Sequence, residues 1–186
     1  MSMANLTANA AISQLVIVDM QVKLAPAMSA EALQSVIKNC AILAQATTLL
    51  AIPSIATEQY PQGLGETLPE IKQHLTNNKA IAKTTFSACG EPKFNQQLQR
   101  ENSQIILAGM EAHICVLQTA LDLIKAGKNV FVVEDAIISR SVANKANAIA
   151  RMRAAGCVIT NTESLVFEWL GDANHAAFKT ISKLIK

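Results

Sequence analysis

The 186-residue chain predicts a doubly wound α/β fold, a three-layer α/β/α arrangement around a mostly parallel sheet of about six strands. Two observations carry this. The apolar residues fall in short, nearly continuous blocks, which suits strands buried on both faces of a parallel sheet. Between the blocks lie segments with apolar residues at helical spacing, so strand and helix alternate, as right-handed crossovers require. The length fits one domain spanning residues 1–186, with no internal repeat or linker.

The elements follow in order. LVIV (15–18) reads as the first strand, and Leu33, Val36, Ile37, Cys40, Leu43 and Ala44 as the apolar stripe of the first helix. PSIA (53–56) and AIA (80–82) give the second and third strands. Residues 58–69 between them form the one Gly/Pro-rich loop. Its Gly63-x-Gly65 lacks the third glycine of a dinucleotide loop and reads as a turn lining the site. Pro92 suits the first turn of a helix carrying Phe94 and Leu98. After IILA (105–108), a helix over 114–126 carries Leu117, Leu121 and Ile124, and Gly127 ends it. VFVV (130–133) is the fifth strand. Ser141 caps a helix through Ala155 with Ala146, Ile149 and Met152 inward, Gly156 closes it, and CVIT (157–160) is the last strand.

Composition narrows the function. Lys+Arg 16 against Asp+Glu 14 gives a net charge of +2, the basic residues are scattered and aromatics are 4% of the chain, so no nucleic-acid partner is expected. No stretch approaches the ~20 apolar residues of a membrane span. The apolar run near the N-terminus has no basic residue ahead of it and is short for a signal peptide, so a cytoplasmic protein is expected. Four cysteines (Cys40, Cys89, Cys115, Cys157) without a C-x-x-C pair read as free thiols. The mean hydropathy of +0.25 implies apolar surface that suits a homo-oligomer.

Open α/β sheets bind ligands beyond the carboxyl ends of their strands, where strand order reverses. Asp19 ends the first strand, Lys83 the third, and Cys115 follows the fourth at the start of a helix. If the first and fourth strands flank the reversal, all three share one crevice. A helix N-terminus and a nearby cation stabilise a thiolate, and Asp19 could act as base and then acid. The amides from Glu111 to Cys115 could hold an oxyanion. Blander readings stand beside these: a strand-end Asp often orders a loop, a Lys there is often solvated, and a buried Cys is often a small hydrophobe. Cys40 and Cys157 fit that last description, and Cys89 sits in a loop.

Gln21, Tyr60 and Phe86 are candidate substrate contacts, the two aromatics being equally suited to core packing. His113 lies two positions from Cys115, a spacing that turns the side chains apart. His74 and His175 have no companions at metal spacing, so neither metal nor cofactor is predicted. Asp135, Ser139 and Arg140 read as structural ties or an oligomer contact. Nothing here names a substrate beyond a small molecule, so a non-catalytic binding or scaffold protein is the alternative to an enzyme.

The motifs VIVDMQ (16–21), AKTTFSAC (82–89), LAGMEAHICVLQTALDL (107–123) and VEDAIISR (133–140) resemble the isochorismatase-like cysteine hydrolases over nearly the whole chain. TEQYPQGLGET (57–67) and the ending GDANHAAFKTISKLIK resemble the isochorismatase domain-containing branch. The resemblance implies an Asp-Lys-Cys triad at Asp19, Lys83 and Cys115. It further implies a cis peptide between Met110 and Glu111, and an oxyanion hole from the amides of Glu111 and Cys115. Relatives that hydrolyse nicotinamide carry an Asp and two His as metal ligands after the second strand, where this chain has Thr57, Glu58, Gln59 and Tyr60. Isochorismatases that cleave a vinyl ether lack the cysteine. Hydrolysis of an amide, carbamoyl or related C–N bond through a thioester is what the resemblance leaves.

Overall fold

Every apolar block of the sequence becomes a strand, and the strands join in a single all-parallel sheet of order β3-β2-β1-β4-β5-β6. The computed structural model describes residues 6–75 and 79–186. The strands are β1 (Ser13–Val18), β2 (Ser54–Gln59), β3 (Ala80–Lys83), β4 (Gln104–Met110), β5 (Asn129–Ile138) and β6 (Val158–Thr160). The helices are α1 (Ala30–Leu49), the short α2 (Pro61–Leu64) and α3 (Pro69–Lys72), α4 (Pro92–Gln97), α5 (Leu117–Lys125), α6 (Val142–Ala154), α7 (Thr162–Leu170) and α8 (Phe178–Ile185). Four of these, α2, α3, α7 and α8, were not legible as helices from the sequence, α2 falling inside the segment read as a loop.

Alternation along the buried strands divides the core. Leu15 and Ile17 of β1, Ile106 and Ala108 of β4, and Phe131 and Val133 of β5 pack beneath α1, α3, α7 and α8. Val16, Val18, Ile105, Leu107, Val130 and Val132 face α4, α5 and α6. Both faces of the central strands are therefore dry, and the continuous apolar runs follow from that. The expected caps form: Ser141 Oγ accepts from the Asn144 amide, and Pro92 opens α4. Gly127 and Gly156 take positive φ values of 80° and 98° just past α5 and α6.

Strand order reverses between β1 and β4, which pair from Ser13↔Gln104 to Val18↔Gly109. Gly109 is required there. Its φ is 141°, and a Cβ would stand 2.1 Å from the Val18 carbonyl oxygen. The carboxyl ends of these two strands are where ligands bind in such sheets.

One expectation is corrected at this point. Among the described residues no peptide bond is cis, so the link from Met110 to Glu111 is trans. The chain instead turns by placing Glu111 in the left-handed region (φ 55°, ψ 57°) and winding residues Ala112–Val116 as one π-helical turn. Reversal is thus achieved by dihedral rotation at Glu111. The helix expected from residue 114 begins as this wider turn and becomes α-helical at Leu117.

Candidate active site

Asp19 lies one residue past β1 with φ 51°, a left-handed conformation that Asp tolerates better than most side chains. Its amide donates to the Thr57 carbonyl and its own carbonyl accepts from the Gln21 amide, so the backbone fixes it between β1 and β2. The carboxylate is completely buried. Oδ1 accepts from Thr57 Oγ1 at 2.8 Å, and Oδ2 lies 2.7 Å from Lys83 Nζ, whose side chain is equally buried.

That ion pair has an informative geometry. The three ammonium protons have three aligned acceptors: Gln59 Oε1 at 2.6 Å, the Phe86 carbonyl at 3.0 Å and the Thr85 carbonyl at 3.2 Å. Asp19 Oδ2 is close to the cation yet accepts no aligned hydrogen bond. Charge holds Oδ2 to the ammonium without an aligned hydrogen bond, and the same carboxylate also interacts with the Cys115 thiol.

Cys115 stands in the π-turn, buried, with its thiol under the direct influence of both partners. The sequence suggested a stabilised thiolate, but the structure opposes it. Burial raises the thiol most, the Asp19 charge raises it further, and the Lys83 charge offsets only part, so the pKa is pushed up to about 12. The resting site holds a protonated thiol beside the Asp19 carboxylate. Proton transfer during attack, rather than a standing thiolate, is the chemistry this arrangement permits.

The remaining thiols are raised as well. Cys89 reaches about 11 and Cys157 about 11, both mainly through burial, and Cys40, on the buried face of α1, is raised still more. None of these three is influenced by a lysine.

The turn that carries Cys115 is braced from the end of β5. Glu111, nine-tenths buried, receives Arg140 Nε on Oε1 at 3.0 Å and Nη2 on Oε2 at 3.3 Å. His113 Nδ1 lies 3.0 Å from Ser139 Oγ and so turns away from the thiol. A left-handed conformation at a residue other than glycine costs about 1–2 kcal/mol, and these ties hold it. Asp135 is also structural: its Oδ1 accepts from both the amide and the hydroxyl of Thr162 at the start of α7.

The loop after β2 is anchored. Gln21 is fully buried, its Nε2 donating to the carbonyls of Gln59 and Gly65 and its Oε1 accepting from the Gln59 amide. Its amide thus holds the loop in place. Glu58 Oε1 accepts from the Thr67 amide and hydroxyl. With Thr57 on Asp19 and Gln59 on Lys83, the four residues from Thr57 to Tyr60 offer no free carboxylate or imidazole for a metal. Tyr60 and Phe86 are each about half exposed (55%), not core packing. Both adjoin Lys83, the Tyr60 amide donating to its carbonyl and the Phe86 carbonyl accepting from its ammonium. The Tyr60 ring covers Gly63, where a Cβ would stand 2.3 Å from it.

Thr57 and Gln59 were considered in the sequence only as failed metal ligands, and Ser139 and Arg140 as structural ties or an oligomer contact. A polar i, i+2 pair at the end of a buried strand was the available signal, because alternate residues share a face. A separate cleft of about 600 Å³ opens at the amino ends of the strands, among Gln14, Thr47, Ser54 and Gln97. It has no titratable side chain in its lining and offers no comparable chemistry.

Comparison with known proteins agrees with this fold. Isochorismatase domain-containing protein 2 from Danio rerio is 38% identical over 174 residues, covering 93% of this chain and 86% of that protein. A solved structure described as MAR1 ribonuclease from Caenorhabditis elegans superposes with a TM-score of 0.90 at 39% identity, covering 96% of this chain and 92% of the other. The structure of YcaC from Pseudomonas aeruginosa with hexane-2,5-diol and covalent acrylamide gives 0.84 at 25% identity, covering 96% and 95%. The model of the isochorismatase domain matches residues 13–164. From the all-parallel sheet, the crevice at its switch point and these matches together, the chain belongs to the isochorismatase family of hydrolases.

Proposed function

We propose that the chain is a cysteine hydrolase that cleaves an amide, carbamoyl or related C–N bond of a small molecule through a thioester at Cys115. The observation that carries this reading is the interaction of the buried Cys115 thiol with both members of the buried Asp19–Lys83 ion pair. In the first step Sγ attacks the carbonyl carbon while its proton passes to Asp19. Negative charge then moves to the carbonyl oxygen, for which the amides of Glu111 and Cys115 are the donors. Asp19 returns the proton to the departing nitrogen, the C–N bond breaks, and a thioester remains. Water, deprotonated by Asp19, hydrolyses it and restores the thiol. Lys83 stabilises the charge that passes between sulfur and carboxylate. Tyr60 and Phe86 contact the substrate at the mouth, and Gln21 keeps the loop behind Tyr60 in place.

The covalent acrylamide of the Pseudomonas YcaC structure supports a nucleophile in sites of this kind. The name of the Caenorhabditis neighbour favours a second reading, RNA cleavage. Phosphodiester chemistry draws on cations free to meet a dianionic transition state. Here the buried ammonium already has three acceptors and a carboxylate, which favours acyl transfer.

The test uses p-nitrophenyl acetate, a panel of small amides and ureido acids, and single-stranded RNA. The expected result is a burst of p-nitrophenolate stoichiometric with enzyme, an acetyl adduct on Cys115 by mass spectrometry, and loss of both in Cys115→Ala. No burst and no adduct would leave the scaffold reading. RNA cleavage that survives Cys115→Ala would sink the thioester mechanism.

A further inference from the structure

We infer that Arg140 is a positioning residue for the oxyanion-binding turn, acting through Glu111 with Ser139 and His113 as a second tie; this rests on the acyl-transfer reading above. Glu111 is the hinge of the turn. Its backbone is left-handed, and its carbonyl accepts the Ile114 amide at 2.9 Å and the Val116 amide at 3.5 Å. Such a conformation at a residue with a Cβ persists only where the surroundings over-determine it. Those hydrogen bonds supply one constraint and the buried carboxylate, gripped through two guanidinium nitrogens, supplies another.

The arrangement is economical in sequence. Ser139 and Arg140 are consecutive at the exit of β5, and they hold His113 and Glu111, which flank Ala112 on the turn. β5 is thus registered against the nucleophile turn at two points. Released from Arg140, the buried Glu111 carboxylate would keep only the His113 ring, 3.7 Å from Oε2, as a near partner and would move toward water. The amide of Glu111 would rotate with it, away from the position where the carbonyl oxygen becomes negative.

Arg140 is itself 56% exposed along its side chain. Removing Arg140 leaves Glu111 buried without that partner and lowers stability as well, so the test compares two reactions of the same folded variant. The same exposure lets a dissolved guanidinium reach the empty place left by a truncated side chain.

Three reactions separate this from a structural role. Acylation by p-nitrophenyl acetate develops an oxyanion, whereas alkylation of Cys115 by iodoacetamide is a displacement at a saturated carbon and does not. In Arg140→Ala the acylation rate is expected to fall about 10- to 100-fold with KM nearly constant, since small misplacements of donors cost that much. The alkylation rate of Cys115 stays within about threefold of wild type, because no oxyanion donor is used. Arg140→Lys, with one point charge in place of a fork, recovers part of the rate, and millimolar methylguanidinium restores part of it to Arg140→Ala.

Unchanged acylation in Arg140→Ala would overturn the inference. So would equal loss of acylation and alkylation, which would mark a displaced thiol. A wild-type protein without the Cys115-dependent burst would instead remove the acyl-transfer reading itself, before any Arg140 variant is compared.

Discussion

Cys115 keeps its proton for a reason that side-chain identity cannot show. Beside a cation and at the head of a helix, a thiol in water would ionise more easily, and that is what the sequence suggested. Burial and the Asp19 charge outweigh Lys83 and bring the pKa to about 12. The same balance predicts how the variants diverge. Asp19→Asn removes a charge that opposes the thiolate and leaves Lys83 with its three other acceptors. Alkylation of Cys115 near pH 7.5 is expected to quicken, about tenfold for each pKa unit regained, while acylation turnover falls about 10²- to 10⁴-fold for want of a base. Lys83→Met should slow alkylation instead. Time courses of iodoacetamide labelling read by mass spectrometry check both, and slower labelling of Asp19→Asn would refute this account. Residue types revealed which groups meet; how much water they keep was hidden, because it depends on β1, β4 and α5 closing around them.

The strands and the helices α1, α4, α5 and α6 were legible because burial on both faces of the sheet writes itself as apolar blocks. β5 extends to Ile138, beyond its VFVV block, and β4 runs to Met110 through Gly109. The π-turn at Ala112–Val116 left no pattern of its own, since a wider turn uses the same residues as an α-helical one. The left-handed Glu111 was likewise invisible, and a cis bond was expected in its place. Gly109 is the exception, a single glycine whose necessity is steric: any side chain there meets the backbone of Val18. Gly109→Ala is expected to lower stability by about 3 kcal/mol or more, seen as a drop of about 6–12 °C in Tm by calorimetry. An unaltered Tm would mean that β1 and β4 separate freely at the switch point.

The thiols also couple the fold to alkaline pH. Cys89 at about 11, Cys157 at about 11 and Cys115 at about 12 all lie above the ordinary 9.0, and Cys40 lies higher still. Each binds its proton more firmly folded than unfolded. Their stabilising contribution is therefore complete below pH 9 and lost as pH climbs through the folded values toward 12. Thermal midpoints measured from pH 8 upward should fall steadily, and the double variant Cys89→Ser, Cys157→Ser should fall less steeply; equal slopes would refute the linkage. The location of the site was legible from topology, since ligands bind where strand order reverses, whereas the bracing of Glu111 by Arg140 was not, because it joins two loops whose approach is set by the packing of α5 on α6. The strand order has a consequence for biosynthesis. β1 occupies the centre of the sheet but is made first, and its partner β4 emerges only after β2 and β3. The nascent chain therefore exposes one flank of β1 until β4 arrives, and Asp19 first meets Cys115 when that central seam closes. Until then the thiol titrates as an ordinary cysteine, so its loss of reactivity is a clock for the closing of that seam.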